Sequence, residues 1–270
     1  MIDQHTELYC VIGSPVGHSL SPAMHNAAFS ALHLNALYMA FEVKDLAGCL
    51  NGVRAFGIRG VSVTIPHKSS VIPFLDQVDQ CALDIGSVNT IVNRNNKLKG
   101  YNTDALGAYA ALKKVIDPSG KDCIIIGAGG AARAIGYILR NKGCKIIITN
   151  RSKGRGEDLS GFLNCDFIPL EEIGDRGSDI LINTTPVGMY PKVNDIPATK
   201  ALLKKGMCCM DIVYNPLETR LLRTAKSLGC RTVNGLGMFV YQGAEQFRIW
   251  TGLEPPVDIM TKVIERILRQ

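Results

Sequence analysis

The sequence predicts an α/β fold built from parallel βαβ units. Two observations carry that prediction: short β-branched runs alternate with longer segments of helical period, and one such run ends in a glycine turn that opens a helix. Length supplies a third, because 270 residues at roughly 150 per domain point to two domains. In order, the runs that read as strands are 8–13, 36–42, 60–64, 90–93, 122–127, 145–150, 179–184, 207–213 and 231–233. Between the first two lies Ser21-Pro22, which reads as a helix N-cap followed by the first helical residue. The strongest turn before the middle of the chain is Ile116-Asp117-Pro118-Ser119-Gly120, and a new apolar strand follows it at once. After 233 the strands stop. Two helices are expected at 237–250 and 256–268, broken at 252–255, and they form a tail able to fold back on the first domain.

Composition narrows the function classes. Apolar residues make up 46% and charged residues 20%, so a real core forms and disorder is not expected. The 30 Lys and Arg against 24 Asp and Glu leave a formal charge of +6, an excess that suits anionic small molecules. No basic tract is present to bind a duplex, so nucleic acid is not an expected partner. The nine cysteines are an odd number with no C-x-x-C pair, which reads as reduced, mostly buried thiols and no metal site. Residues 1–7 carry acids where a signal peptide carries lysines, and no stretch nears the roughly 18 apolar residues of a membrane span. A cytoplasmic protein is expected.

The central motif is Asp122-Cys123-Ile124-Ile125-Ile126 running into Gly127-Ala128-Gly129-Gly130-Ala131-Ala132-Arg133. This is a G-x-G-x-x-A turn between a strand and a helix. Gly127 permits the tight turn, Gly129 lets the backbone approach a pyrophosphate at the helix N-terminus, and Ala132 allows close helix–strand packing. A dinucleotide is the favoured ligand; a flavin, S-adenosylmethionine or packing alone are the alternatives. An NAD site usually places an acid about 20 residues on, at the end of the second strand. Here that stretch reads Thr149-Asn150-Arg151-Ser152-Lys153-Gly154-Arg155. Guanidiniums are always charged and offer a planar fork of donors, so Arg151 and Arg155 suit the ribose phosphate of NADP. Two charge-assisted bonds of about 1.5–3 kcal/mol each imply a preference over NAD on the order of 10²–10⁴. The alternative is a solvated basic cluster opening a helix.

Hydride transfer also needs a proton carrier at the substrate hydroxyl, supplied near strand ends of the other domain. Lys68 follows Val61-Ser62-Val63-Thr64-Ile65-Pro66-His67, just after a buried strand where an ammonium pKa can be lowered. Asp104, in Gly100-Tyr101-Asn102-Thr103-Asp104, directly precedes a helical run. A surface charge and a helix cap are the plain readings of these two. The helix start at Ser21, flanked by hydroxyls, is also suited to a carboxylate. No metal-ligand histidine spacing, no G-x-S-x-G and no Walker lysine occur, which sets hydrolase and ATPase readings aside.

Taken together these motifs resemble the shikimate dehydrogenase family across nearly the whole chain. The resemblance implies an N-terminal α/β substrate domain (1–104), a Rossmann-type doubly wound parallel-sheet NADP domain (105–236) and C-terminal helices (237–270) returning to the first domain. It implies NADP-dependent interconversion of 3-dehydroshikimate and shikimate, a step of chorismate and aromatic amino-acid biosynthesis. His18-Ser19-Leu20-Ser21-Pro22 matches the family's carboxylate motif, assigning Ser19 and Ser21 to the substrate carboxylate. Val63-Thr64-Ile65-Pro66-His67-Lys68 assigns Lys68 to catalysis and Thr64 to substrate, Gly86-Ser87-Val88-Asn89-Thr90 assigns Asn89 to ring hydroxyls, and Asp104 is the partner of Lys68. Tyr214 in Asp211-Ile212-Val213-Tyr214-Asn215-Pro216 and Gln242 after Tyr241 complete the substrate set. The cofactor set is Gly127, Ala128, Gly129, Gly130, Ala131, Asn150, Arg151, Ser152, Arg155, Thr184 of Asn183-Thr184-Thr185-Pro186-Val187-Gly188-Met189, and Gly235 with Met238 of Asn234-Gly235-Leu236-Gly237-Met238. Ser62, Ala105 and Ser152 stand where relatives commonly carry Asn, Gly and Thr. The shorter reach of Ser62 puts its own substrate contact in question, and Ala105 implies a backbone that tolerates a Cβ. A cleft between the domains would bring substrate to nicotinamide, with Lys68 and Asp104 holding the reacting hydroxyl. The rivals are a quinate/shikimate dehydrogenase using NAD, against which the two arginines argue, and a noncatalytic NADP-binding module, against which Lys68 and Asp104 argue. The expected protein is a monomer or homodimer with a small-molecule substrate and no membrane partner.

Overall fold

In a computed structural model, which describes residues 2–197 and 200–269, the chain divides into two units, Met1–Thr103 with Gln242–Gln270 and Asp104–Tyr241. The first unit opens with β1 (Glu7–Gly13), α1 (Ser21–Ala31), β2 (Ala36–Glu42), α2 (Leu46–Ala55) and β3 (Gly60–Val63). Both β2 and β3 pair in parallel with β1. Flanked on both sides and covered on both faces, β1 buries Tyr9, Cys10, Val11 and Ile12, which is why it reads as a continuous apolar run. Cys10, Ile12, Val61 and Val63 pack with Leu46, Leu50 and Val53 of α2 in one core layer.

The remaining elements before the boundary are α3 (His67–Ser70), β4 (Gln77–Val78), α4 (Gln80–Ile85), β5 (Thr90–Arg94) and β6 (Lys97–Tyr101). They depart from parallel βαβ units, because β5 is antiparallel to both β3 and β6, and the sheet order is β2-β1-β3-β5-β6-β4. The sequence pattern announces only one strand here, at 90–93, and β4 and β6 are additions to it. The hairpin turn is Asn95-Asn96, with φ of +52° and +61°, the double left-handed conformation that Asn tolerates without a glycine to signal it.

Ser21 is not the N-cap it was expected to be. It is already helical, and the N-cap position is Leu20, in the αR region, whose side chain makes no capping bond. Ser19 Oγ instead accepts from the Ser21 N–H at 3.3 Å. Ser21 turns inward and is buried beside the Tyr38 hydroxyl, its hydrogen-bond partner.

The second unit contains α5 (Asp104–Lys113), β7 (Asp122–Ile126), α6 (Gly130–Asn141), β8 (Lys145–Asn150), α7 (Lys153–Leu163) and β9 (Asp166–Pro169). It continues with β10 (Ile180–Asn183), β11 (Cys208–Asp211), α8 (Arg220–Ser227) and β12 (Arg231–Val233). Every pairing is parallel and the order is β12-β11-β10-β7-β8-β9. This is the doubly wound arrangement, with its switch point between β7 and β10, where strand ends open a crevice for a ligand. Asp104 opens α5, an acid in the first turn where the helix dipole favours it, and Ala105 is fully buried as the next helical residue.

Two helices end the chain, α9 (Gly235–Thr251) and α10 (Val257–Leu268). Helix α10 packs on α1, and the Trp250 indole donates to the Ile91 carbonyl of β5 at 2.9 Å. Gly60 on β3 leaves the space for that indole, since a Cβ there would stand 2.5 Å from Trp250 Nε1. Among the described residues no helix is long and apolar enough to cross a membrane.

Candidate functional site: a nucleotide cavity and a buried polar cluster

At the C-terminal ends of β7, β8 and β10 the second unit holds a cavity of about 1080 Å³. Its floor is the glycine turn. Gly127 has φ +113°, and a Cβ there would lie 2.5 Å from Thr184 Oγ1, so only glycine passes beneath Thr184. Thr184 is fastened over that turn by its N–H and its hydroxyl, which both donate to the Ile126 carbonyl, at 2.9 and 2.6 Å. Beyond it, a Cβ at Gly129 or Gly130 would meet nothing within 4 Å, which leaves the backbone open to a ligand. Gly129 is the N-cap of the 12-residue α6 and no side chain caps that end. Exposed first-turn N–H groups and the helix dipole make such an end attractive to an anion.

At the end of β8 the Asn150 side chain donates to the Ser152 carbonyl at 2.9 Å and shapes the turn that presents Arg151, Ser152 and Arg155 to the cavity. Among the described residues neither arginine is in a salt bridge, while the intervening Lys153 pairs with Glu157 at 3.9 Å. The far wall is the segment after β10, where Thr185 and Val187 are held by a buried set of bonds. Asn183 Oδ1 accepts from Thr185 N–H and hydroxyl, and Asn183 Nδ2 donates to Asp211 at 2.9 Å. Asp211 also accepts from Thr219, and burial pushes its carboxyl up to about 6 against these bonds.

Of the predicted cofactor residues, Gly127, Ala128, Gly129, Asn150, Arg151, Ser152, Arg155 and Thr184 line this cavity. Gly130 and Ala131 form the first turn of α6 behind it; Gly235 opens α9 against the Ile212 carbonyl, and Met238 is buried, neither of them on the lining. Leu170, the segment from Asn194 to Pro197 and Arg220 were missed. No motif signals them, because they arrive from loops that follow other strands. Arg220 is tied to that segment by donating to the Asn194 carbonyl at 2.7 Å.

The first unit gathers Ser19, Ser21, Thr64, Lys68, Asn89 and Gln242, while Asp104 and Tyr214 belong to the second. Main-chain bonds bring the loops together: Thr64 N–H donates to Ile12, Val63 N–H to Asn89 and Val88 N–H to Lys68. Gly13 makes room for the Thr64 methyl, which a Cβ would strike. Asn89 is buried, its Oδ1 accepting from Thr103 N–H and Thr90 Oγ1 at 2.8 Å each and its Nδ2 donating to Thr103 Oγ1 at 3.0 Å. Ser62, short for a substrate contact, is used internally: it accepts from the Tyr38 hydroxyl at 2.6 Å and donates to Gln246 Oε1 at 2.9 Å. Beneath Tyr38 the ring of His25 is stacked at 4.5 Å and fully buried, and burial holds its pKa down to about 3, so it is neutral.

Comparison with known proteins covers the same segments. Family models match residues 11–91 (shikimate dehydrogenase substrate binding domain), 110–212 (shikimate / quinate 5-dehydrogenase) and 235–265 (shikimate 5'-dehydrogenase C-terminal domain). A shikimate dehydrogenase (NADP(+)) of Moorella thermoacetica is 46% identical over 277 residues, covering 97% of this chain and 94% of its own. The chain belongs to the shikimate dehydrogenase family. Among solved members, a shikimate dehydrogenase in complex with NADP+ superposes with a TM-score of 0.94 at 42% identity, covering 100% of this chain and 98% of the other. The shikimate 5-dehydrogenase of Thermus thermophilus, in complex with NADP(H) and shikimate, gives 0.90 at 37% identity, covering 96% and 99%. For a family member the glycine turn and the cationic end of β8 fall on the doubly wound sheet, as the sequence led one to expect.

Proposed function

We propose that this chain is an NADP-dependent shikimate dehydrogenase, an oxidoreductase that interconverts 3-dehydroshikimate and shikimate in aromatic amino-acid biosynthesis. The observation that carries the reading is one cavity in which an uncapped helix N-terminus converges with two arginines that form no salt bridge among the described residues. An anionic dinucleotide with a further ribose phosphate matches that donor set. In this reading Gly127 to Ala131 hold the diphosphate, Asn150, Arg151, Ser152 and Arg155 the ribose phosphate, and Thr184, Gly235 and Met238 the nicotinamide end. When bound, NADP supplies the acceptor for the hydrogen and electron pair that leave the substrate carbon.

The chain's own side chains bind and handle the proton. Ser19 and Ser21 take the substrate carboxylate, Asn89 its ring hydroxyls, and Thr64, Tyr214 and Gln242 make further substrate contacts. Neutral Lys68 Nζ accepts the alcohol proton during oxidation, and the ammonium returns it during reduction. Asp104 is the carboxylate partner of Lys68. The protein acts as a monomer or homodimer in the cytoplasm.

The test follows the absorbance of reduced nicotinamide with shikimate or quinate, each offered NADP and then NAD. Turnover with shikimate and NADP alone is expected. Comparable quinate turnover with NAD would move the chain to the broader dehydrogenase, and no turnover in any pairing would leave a binding module.

A further inference from the structure

Helix α9 meets β3 and β5 through a glutamine where an apolar side chain would ordinarily fill the layer. Gln246 is buried, and both ends of its carboxamide are hydrogen-bonded. Its Oε1 accepts from Ser62 at 2.9 Å, and its Nε2 donates both to the Asn89 carbonyl and to Thr90 Oγ1, at 3.1 Å each. The polarity of this arrangement is transmitted. Because Thr90 Oγ1 receives a proton from Gln246, its own proton goes to Asn89 Oδ1 at 2.8 Å. With Thr103 N–H donating to the same oxygen, the Asn89 carboxamide can stand only one way round, with its Nδ2 toward Thr103 Oγ1. Gln246 also lies four residues after Gln242, on the same face of α9 one turn on, so its bonds to β5 set the height of that turn.

We propose that Gln246 is a positioning residue of the substrate site, acting through Thr90 to fix the orientation of Asn89 and through α9 to place Gln242. The inference rests on the reading above, in which Asn89 and Gln242 contact substrate. Gln246→Met keeps the volume and deletes the bonds. Gln246→Glu inverts them, because a carboxylate takes the Thr90 proton that Asn89 now receives.

Steady-state kinetics of the full chain decide it. Both variants raise the KM for shikimate roughly three- to thirtyfold, Glu more than Met, while the KM for NADP stays within about twofold of wild type. Thr90→Val, nearly isosteric, removes the relay itself, gives a smaller rise in the same parameter, and decides the question if the Gln246 variants do not fold. Unchanged shikimate KM in folded Gln246→Met or in Thr90→Val overturns the inference, as does a parallel rise in both KM values, the mark of general loosening. If the wild-type chain itself fails to oxidise shikimate with NADP, it is the functional reading that has failed.

Discussion

The two units present their candidate binding groups in opposite ways. In the second, the groups on the cavity are held out and open: glycines with empty space where a Cβ would be, an uncapped helix end, and arginines that form no salt bridge among the described residues. In the first, Asn89, Ser62 and Gln246 are buried and joined by hydrogen bonds, and Ser21 is buried against the Tyr38 hydroxyl. The difference separates two kinds of recognition. A phosphate is a strong, adaptable acceptor that backbone N–H groups and flexible guanidiniums can follow. A ring whose hydroxyls differ only in position needs donors and acceptors whose order is already set.

That contrast predicts where variants act. The largest effect belongs to Lys68→Ala, which lowers kcat toward the upper end of the roughly 10²–10⁴-fold range for a lost acid–base group and moves the shikimate KM little. Near-normal turnover would remove Lys68 from the chemistry. Next, the Arg151→Ala, Arg155→Ala pair lowers the preference for NADP over NAD by about a hundredfold, the low end of the range because both side chains are exposed and screened. Parallel cofactor titrations read the ratio, and an unchanged ratio refutes the role.

Smaller effects sharpen the comparison within the second unit. Asp211 has a folded-state pKa of about 6 against 3.8, so it binds more protons folded than unfolded between those values. Its contribution to stability is therefore present below about pH 4 and lost as pH rises through 6, by at most about 3 kcal/mol. Asp211→Asn lacks this titration. Urea unfolding of both proteins at about pH 4.5 and pH 7 should show the balance shifting toward the variant at the higher pH, and a constant difference would contradict the assignment. Smallest is Gly127→Ala, which puts a Cβ at φ +113° against Thr184 Oγ1 and costs about 1–3 kcal/mol of stability. It raises the KM for NADP and leaves that for shikimate alone; an equal rise in both would show that the turn serves more than the cofactor.

Legibility followed locality. The glycine turn and the arginines after β8 are short stretches of consecutive residues whose spacing already states their geometry, and the all-parallel order of the second sheet follows from the βαβ rhythm. Strand β5 was expected at 90–93, but its hairpin partner β6 was missed because Asn95-Asn96 carries no glycine, and β9 because a four-residue strand ending in Pro169 has little pattern. The reading of Ser21 as a cap failed for a tertiary reason: the Tyr38 hydroxyl offers its side chain a buried partner. Gln246 was invisible because one polar residue on a long helix looks like its solvated face until the opposing strand is known.

By itself, then, the sequence determined the α/β class, the glycine corner, the cationic strand end and the family, since each is written in residues close enough to constrain one another through local geometry. Only the tertiary structure decided that Ser62 is spent on Tyr38 and Gln246, that Thr184 closes over Gly127, and that Thr90 passes the polarity of Gln246 to Asn89. A hydrogen bond between residues 156 apart in the chain, as from Gln246 to Thr90, has no periodicity to announce it. It exists because burial leaves each polar group no water to turn to, and the fold alone settles which partner stands within reach.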